Sequence, residues 1–136
     1  MSGWRMSRHF LGSPASITEA RRFVTTFLKG WPSLESAELI VSELATNAVR
    51  HSASGRFGGL FIVTIRVNHR RLWLGVADEG GPRSPELLPA YEEAEGGRGL
   101  MLVSTLATGW GVLGDHNGRT VWAVLDPAPA MAATGR

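Results

Sequence analysis

The segment from Glu38 to Ser52, ELIVSELATNAVRHS, limits the possible folds most strongly, because its pattern is that of a helix with an unusual polar insertion. Its apolar residues recur at intervals of three and four, which places them on one core-facing stripe. They are Ile40, Val41, Leu44, Ala45 and Ala48. Glu43 and Asn47 are four residues apart and therefore stack on successive turns. A carboxylate and an amide among apolar neighbours are costly to bury without partners. The pattern therefore indicates either an ordinary helix with a polar edge or a ligand site.

The length of 136 residues suits one domain with a real core and is too short for two. We expect residues 1–125 to form that domain and the tail from 126 to 136 to be disordered, because the tail has little to bury. The chain has no cysteine, which excludes disulfides and thiolate metal sites and is compatible with a cytoplasmic protein. Neither a secretion signal nor an apolar run of about 20 residues is evident, so we expect no membrane association.

The charge pattern argues against direct binding of nucleic acid. The formal net charge is only +2, and a single lysine is present. The arginines are scattered along the chain rather than gathered into a basic tract with interleaved aromatic residues.

The remaining pattern predicts an α+β protein, a two-layer sandwich with a mixed, mostly antiparallel sheet and its helices on one face. A weak strand is predicted over residues 4–11, then a helix that opens with a capping box at Ser16 and Glu19 and stops at Gly30. Ser33 is the predicted cap of the central helix, which should end between residues 51 and 54. Strands follow at residues 60–67 and 72–78, and a hairpin turn lies at residues 115–118.

Three tryptophans can be placed by the same patterns. Trp110 and Trp122 are predicted to be core aromatics. Trp73 faces away from the apolar side of its strand, and it could lie either in the core or at a partner surface.

Asp78 is an anomaly, because strand parity places this acid on the same face as the apolar residues Leu74 and Val76. The following segment, residues 79–96, is irregular and predicted to be a loop or lid of low local stability. A glycine-rich stretch, Gly97-Arg98-Gly99, then opens a helix.

These separate segments could together form a nucleotide site. A glycine-rich helix start offers backbone N–H groups and the positive end of the helix dipole to phosphates. Asp78 could accept a hydrogen bond from an exocyclic amine, and Asn47 could give an oxygen to Mg²⁺. Glu43 could then orient an attacking hydroxyl or accept its proton. Each segment alone also has an ordinary interpretation, as a turn or a junction between a loop and a helix.

Four motifs, taken in order, resemble those of the Bergerat-fold ATPase domains of gyrase, heat-shock chaperones, histidine kinases and mismatch-repair proteins. ELATNAVRHS is similar to the N-box, VADEGG to the first glycine box, GGRGLMLV to the second, and GRTVWAVL to the terminal strand. The resemblance runs from about residue 10 to Leu125 and is strongest to small anti-sigma-factor serine kinases of the partner-switching type.

The resemblance implies a role for each matched residue. Glu43 occupies the position of the catalytic base and Asn47 that of the magnesium ligand. The other matched positions are implied to bind ATP, namely Arg50, His51, Asp78, Gly80, Gly97, Arg98, Gly99, Leu100 and Thr120. Pro82 departs from the pattern, because relatives often have a second glycine there; it should stiffen the entrance of the lid.

The function implied by this resemblance is transfer of the γ-phosphoryl group of ATP to a serine of an antagonist protein, with sequestration of a sigma factor and possible homodimer formation. Pro82 and the short lid keep a second hypothesis open, a regulatory module that binds ATP and acts only by binding partners. A third hypothesis is an ancillary domain that works with a separate histidine-bearing partner.

Overall fold

The fold comprises five strands and three helices, in a computed structural model that describes residues 3–51, 59–68, 70–80, 98–115 and 117–126. In chain order the elements are β1 (Gly3–Leu11), α1 (Pro14–Phe27), α2 (Leu34–His51), β2 (Leu60–Asn68), β3 (Leu72–Asp78), α3 (Arg98–Leu106), β4 (Gly109–Asp115) and β5 (Gly118–Leu125). The predicted lid beyond residue 80 and the tail beyond residue 126 lie outside these ranges.

The strands form one sheet in the order β1-β2-β3-β5-β4, and every pairing among them is antiparallel. One face of the sheet is apolar and buried, because alternate residues of each central strand point to the same side. That face carries Phe61, Val63, Ile65, Leu72, Leu74, Val76, Val121, Ala123 and Leu125. Helix α2 packs against β2, β3 and β5 and also contacts α1 and α3. The predicted α+β sandwich is thereby confirmed.

The predicted apolar stripe of α2 forms the centre of the helical layer. Ile40, Val41, Leu44 and Ala45 are buried, and the helix ends at His51, within the predicted limits. On the opposite side of the helix Leu39 is 47% exposed, so the stripe has a clear edge. None of the helices in the described ranges is long and apolar enough to cross a membrane.

Helix α1 begins earlier than the sequence suggested. Its N-cap is Ser13, and Pro14 occupies the first turn. Proline is well suited to that position, because its φ angle is already helical and it lacks an N–H that would have no partner. The predicted capping box at Ser16 and Glu19 is therefore wrong, and Ser16 lies inside the helix with its Oγ 3.3 Å from that of Ser13.

The turns between strands agree with the sequence. Asn68 Oδ1 accepts the backbone N–H groups of Arg70 at 2.7 Å and Arg71 at 2.8 Å, which closes the turn between β2 and β3. Asp115 Oδ1 accepts the N–H of Asn117 at 2.9 Å in the β4–β5 hairpin.

The tryptophans divide between the two faces of the sheet. Trp110 packs against the core as predicted, whereas Trp122 lies on the face away from the helices, so its predicted core position is wrong. Its ring covers Gly111, where an added Cβ would be only 2.8 Å from Trp122 Cζ2. Trp73 lies on the same outer face, with its ring 5.4 Å from the guanidinium carbon of Arg66.

The buried stripe of α2 should carry much of the stability. Leu44 is 1% exposed, so Leu44→Ala leaves a cavity and should lower the free energy of unfolding by about 2–5 kcal/mol. Leu39→Ala, the same change on the exposed side of the same helix, should cost less than about 1 kcal/mol. Urea unfolding of both variants measures the difference, and equal losses would contradict the assigned helix orientation.

Candidate functional site

The candidate site lies at one end of the sheet, where β3 ends at Asp78. Directly opposite Asp78 in the antiparallel register is Arg119 of β5. On the other side of β3, the N–H of Leu60 at the start of β2 donates to Glu79 Oε2 at 2.9 Å. These contacts define the Asp78 end of the sheet as the region of Leu60, Asp78 and Arg119.

The chain connections direct two helices to this end. Helix α2 packs against β3, and residues 52–59 separate its C-terminus at His51 from Leu60, so we expect the turns that carry Asn47 to lie towards the Asp78 end. Helix α3 ends at Leu106, close to the opposite end of the sheet, where Thr108 N–H donates to the carbonyl of Val124. The first turn of α3 is therefore directed away from that opposite end.

Asp78 sits in a tightly organised turn. Its Oδ1 accepts the N–H of Gly80 at 2.6 Å, and Gly80 has a φ of +81°, a conformation that glycine adopts without strain. The expected Asp-x-Gly turn is thus present, and it also fixes the carboxylate. Burial raises the pKa of Asp78, while the hydrogen bond from Gly80, the positive charge of Arg119 and a hydrogen bond from the Arg119 backbone act in the opposite direction.

Asn47 is buried with only 6% of its surface exposed, and its Nδ2 has no hydrogen-bond partner among the described residues. A buried amide atom without a partner costs about 1–3 kcal/mol. Because rotation of the amide exchanges its oxygen and nitrogen, this position can present either an acceptor or a donor to a ligand. A water molecule, an ion or a ligand can satisfy such a group.

Glu43 lies one turn before Asn47 on α2 and is half-buried. Arg50 follows near the end of the helix and is exposed, and the side chain of His51 lies outside the description. The helix therefore carries a carboxylate and an amide on one line, as the sequence predicted.

The second glycine segment is described in part. Helix α3 begins at Arg98, so Gly99 and Leu100 lie in its first turn, where backbone N–H groups have no partners within the helix. The side chains of Arg98 and Leu100, and all of Gly97, fall outside the described residues. Their contacts with a phosphate chain stay a prediction.

Thr120 does not join the other predicted residues. It lies on the outer face of the sheet, where it lines an open groove with Thr64, Trp73 and Ala77. Its side chain therefore points away from the layer that contains Asn47. The helix-facing position next to it belongs to Arg119, which is only 5% exposed.

Sequence reasoning missed Arg119, although the signal was present. Arg119 has the same strand parity as Val121 and Ala123, both of which are buried. That parity places its side chain on the face of Asp78 rather than that of Thr120. Within the described ranges no group of three or more histidine and carboxylate side chains could hold a metal ion, so a cation here would need oxygens from a ligand or water as well.

Comparison with known proteins agrees with this geometry. The histidine kinase-like ATPase domain family matches residues 10–125. The serine-protein kinase RsbW of Bacillus pumilus (strain SAFR-032) is 37% identical over 89 residues, which cover 56% of this chain and 55% of that protein. The chain thus spans about half the length of the curated relative it matches.

A solved structure is similar in fold. The crystal structure of the RsbU and RsbW domains of a Mycobacterium tuberculosis protein superimposes with a TM-score of 0.67 over 91% of this chain and 33% of the other, at 15% identity. At this identity the likeness supports the architecture alone.

The raised pKa of Asp78 predicts a particular pH dependence of stability. A carboxyl whose pKa is higher in the folded than in the unfolded protein stabilises the fold when protonated and loses that contribution as the pH rises through the folded value. Compared with Asp78→Asn, the unmodified protein should therefore lose stability as the pH rises from below about 3.9 towards neutrality. Denaturant unfolding at several pH values tests this, and a difference that stays constant or changes in the other direction would contradict it.

The amide of Asn47 should lower the stability of the folded protein. Asn47→Leu removes an amide whose Nδ2 has no partner in the described part of the chain and keeps the side-chain size, so the free energy of unfolding should equal or exceed that of the unmodified protein. Asn68→Leu is the matched control: it removes an amide that accepts two backbone hydrogen bonds and should cost about 1–3 kcal/mol. If Asn47→Leu is as damaging as Asn68→Leu, the amide of Asn47 is structural.

Proposed function

The chain belongs to the histidine kinase-like ATPase domain family, which matches residues 10–125, and from this premise we propose that it binds ATP with Mg²⁺ and phosphorylates a serine of an antagonist protein. We further propose that it is a cytoplasmic anti-sigma factor that binds a sigma factor and forms a homodimer. The similar RsbW of Bacillus pumilus is described as a serine-protein kinase, which supports this choice of reaction.

Two observations support the proposal, one on the buried amide of Asn47 and one on the partly buried carboxylate of Asp78. The Nδ2 atom of Asn47 has no partner among the described residues, and Asp78 has a carboxylate fixed by backbone N–H groups. An amide oxygen is a suitable ligand for a hard cation, and a fixed carboxylate is a suitable hydrogen-bond acceptor for an exocyclic amine. An adenine nucleotide with Mg²⁺ supplies both in one molecule.

Each residue then has a definite task. Asp78 accepts the exocyclic amine of adenine, and Gly80, which has no side chain, leaves room for the ring beside the backbone. Asn47 offers its amide oxygen to Mg²⁺, and the first turn of α3 offers N–H groups to the phosphates. Bound ATP supplies the phosphoryl group, and its cation balances the charge that develops.

Glu43 is the proposed base. It lies one turn before Asn47, so a serine hydroxyl presented at the cation side of the site comes within reach of its carboxylate. Glu43 orients that hydroxyl and accepts its proton as the oxygen attacks phosphorus. Arg98, at the start of α3, is the proposed partner of the terminal phosphate, and Arg50 and His51 complete the nucleotide surface at the end of α2.

Glu43→Gln separates transfer from binding. The variant keeps the size of the side chain but cannot accept a proton, so phosphorylation of a cognate antagonist should fall by about 100-fold or more while the affinity for a fluorescent ATP analogue changes little. Glu38→Gln is the control on the same helix, because Glu38 pairs with Arg21 at 3.6 Å on the protein surface. Unchanged transfer by Glu43→Gln would remove Glu43 from the mechanism.

The second candidate is an ATP-binding module without transfer, for which the Pro82 substitution in the first glycine box is the motivating feature. Incubation with labelled ATP and the antagonist distinguishes the two candidates. Label on a serine supports the kinase, whereas partner affinity that depends on ATP without any transferred label supports the module. Label in an acid-labile histidine linkage would instead support action with a histidine-bearing partner.

A further inference from the structure

Arg119 is a buried arginine at the point where the base of a nucleotide is proposed to bind. It is 5% exposed and lies on the helix-facing side of β5, next along that face to the buried Val121. Arginine is almost never buried at this level unless it is paired. The register places Arg119 directly opposite Asp78 on the neighbouring strand.

The interaction with Asp78 has two components. The backbone N–H of Arg119 donates a hydrogen bond to the carboxyl group, and the guanidinium charge acts on the same group. Together with the 2.6 Å hydrogen bond from Gly80, these contacts approach the carboxylate from the strand beside it and from the turn after it. The carboxylate is thereby held in place before any ligand arrives.

We propose that Arg119 is a positioning residue for base recognition, whose buried guanidinium holds the Asp78 carboxylate charged and oriented towards an exocyclic amine of a purine. This inference rests on the proposed nucleotide site and adds the residue that determines its selectivity at neutral pH. Arg119 acts through Asp78, because a carboxylate is a stronger acceptor of an amine hydrogen bond than a neutral carboxyl group.

The charged residues on the neighbouring elements do not replace this role. Glu79, the next residue, raises the pKa of Asp78 rather than lowering it. Helix α2, which packs against β3, carries Glu43 and Arg50 in the turns around Asn47, and the side chain of Arg98 at the start of α3 lies outside the described residues. The neighbouring end of β2 is apolar, with Leu60, Phe61 and Ile62. Among these groups Arg119 is the cation that lowers the pKa of Asp78.

The test compares ATP with the triphosphate of purine riboside, which has no exocyclic amine. The unmodified protein should prefer ATP by roughly ten- to a hundredfold, the value of a hydrogen bond to a charged group. Arg119→Met should reduce that preference by about tenfold at neutral pH and leave the affinity for purine riboside triphosphate almost unchanged. As the pH is lowered, ATP binding by this variant should begin to weaken at a higher pH than ATP binding by the unmodified protein does.

Two further variants show that charge is responsible. Arg119→Lys keeps the positive charge and should restore most of the preference and the original pH profile. Arg66→Met removes an arginine from the outer face of the same sheet, where it lies over Trp73. It should change neither the preference for ATP nor the pH profile of ATP binding. If Arg119→Met does not fold, Arg119→Gln, which keeps hydrogen-bond donors without the charge, replaces it in the same comparison.

A readout without nucleotide separates this inference from the proposed function. Carbon-13 NMR of the Asp78 carboxyl group, assigned with Asp78→Asn, should show that its pKa rises in Arg119→Met. Absence of nucleotide binding by the unmodified protein would overturn the proposed function and, with it, the role in base recognition. Normal ATP binding by the unmodified protein, with selectivity and carboxyl titration unchanged in Arg119→Met, would overturn only the role of Arg119.

Discussion

The structure depends on the accommodation of a partly buried carboxylate at the end of a central strand. Asp78 continues the apolar face of β3, and its neighbours on that face are Leu74 and Val76. A charge at such a place is expensive unless hydrogen bonds and an opposite charge surround it. The turn at Gly80 and the opposing Arg119 supply those interactions, so the local backbone and the partner strand are both arranged around one side chain.

The helical layer places its polar groups by the same geometry that builds the core. Ile40 and Leu44 form the centre of the stripe on α2, and Asn47 lies close enough to that stripe to be buried with it. Glu43 falls at the edge and is half-buried. The helical period of 3.6 residues per turn is therefore sufficient to place a buried amide and a partly accessible carboxylate one turn apart. The rigid packing of α2 against β3 keeps both in register with the sheet.

Most of the fold could be predicted from the sequence, because its strongest patterns are local. The stripe of α2 and the alternation in β2 and β3 each identify an element and its buried face from neighbouring residues alone. The start of α1 was missed because a serine–glutamate pair is a weaker signal than Pro14, which sets the backbone angle directly.

The site was predicted less completely, because motif letters do not state which way a side chain points. Thr120 was selected from a motif, yet alternation along β5 turns it to the outer face and turns Arg119 inward. The aromatic character of Trp122 predicts a core position, whereas its strand parity puts the ring on the outer face, over Gly111. The pairing of Asp78 with Arg119 depends on the register between strands that are distant in sequence, which no local pattern contains.

The two halves of the candidate site differ in how firmly they are built. The proposed base end consists of Asp78 and Arg119, whose relative position is set by hydrogen-bonded strands, and of a glycine turn that closes on the carboxylate. The proposed phosphate end is the first turn of α3, which follows a glycine-rich stretch of the sequence. Groups on strands need little reorganisation when a ligand arrives. The free energy needed to orient Asp78 is therefore spent during folding and does not weaken ligand binding. Selectivity for the base should therefore be a property of the sheet, whereas the proposed contacts with the phosphates belong to the first turn of α3 in the helical layer.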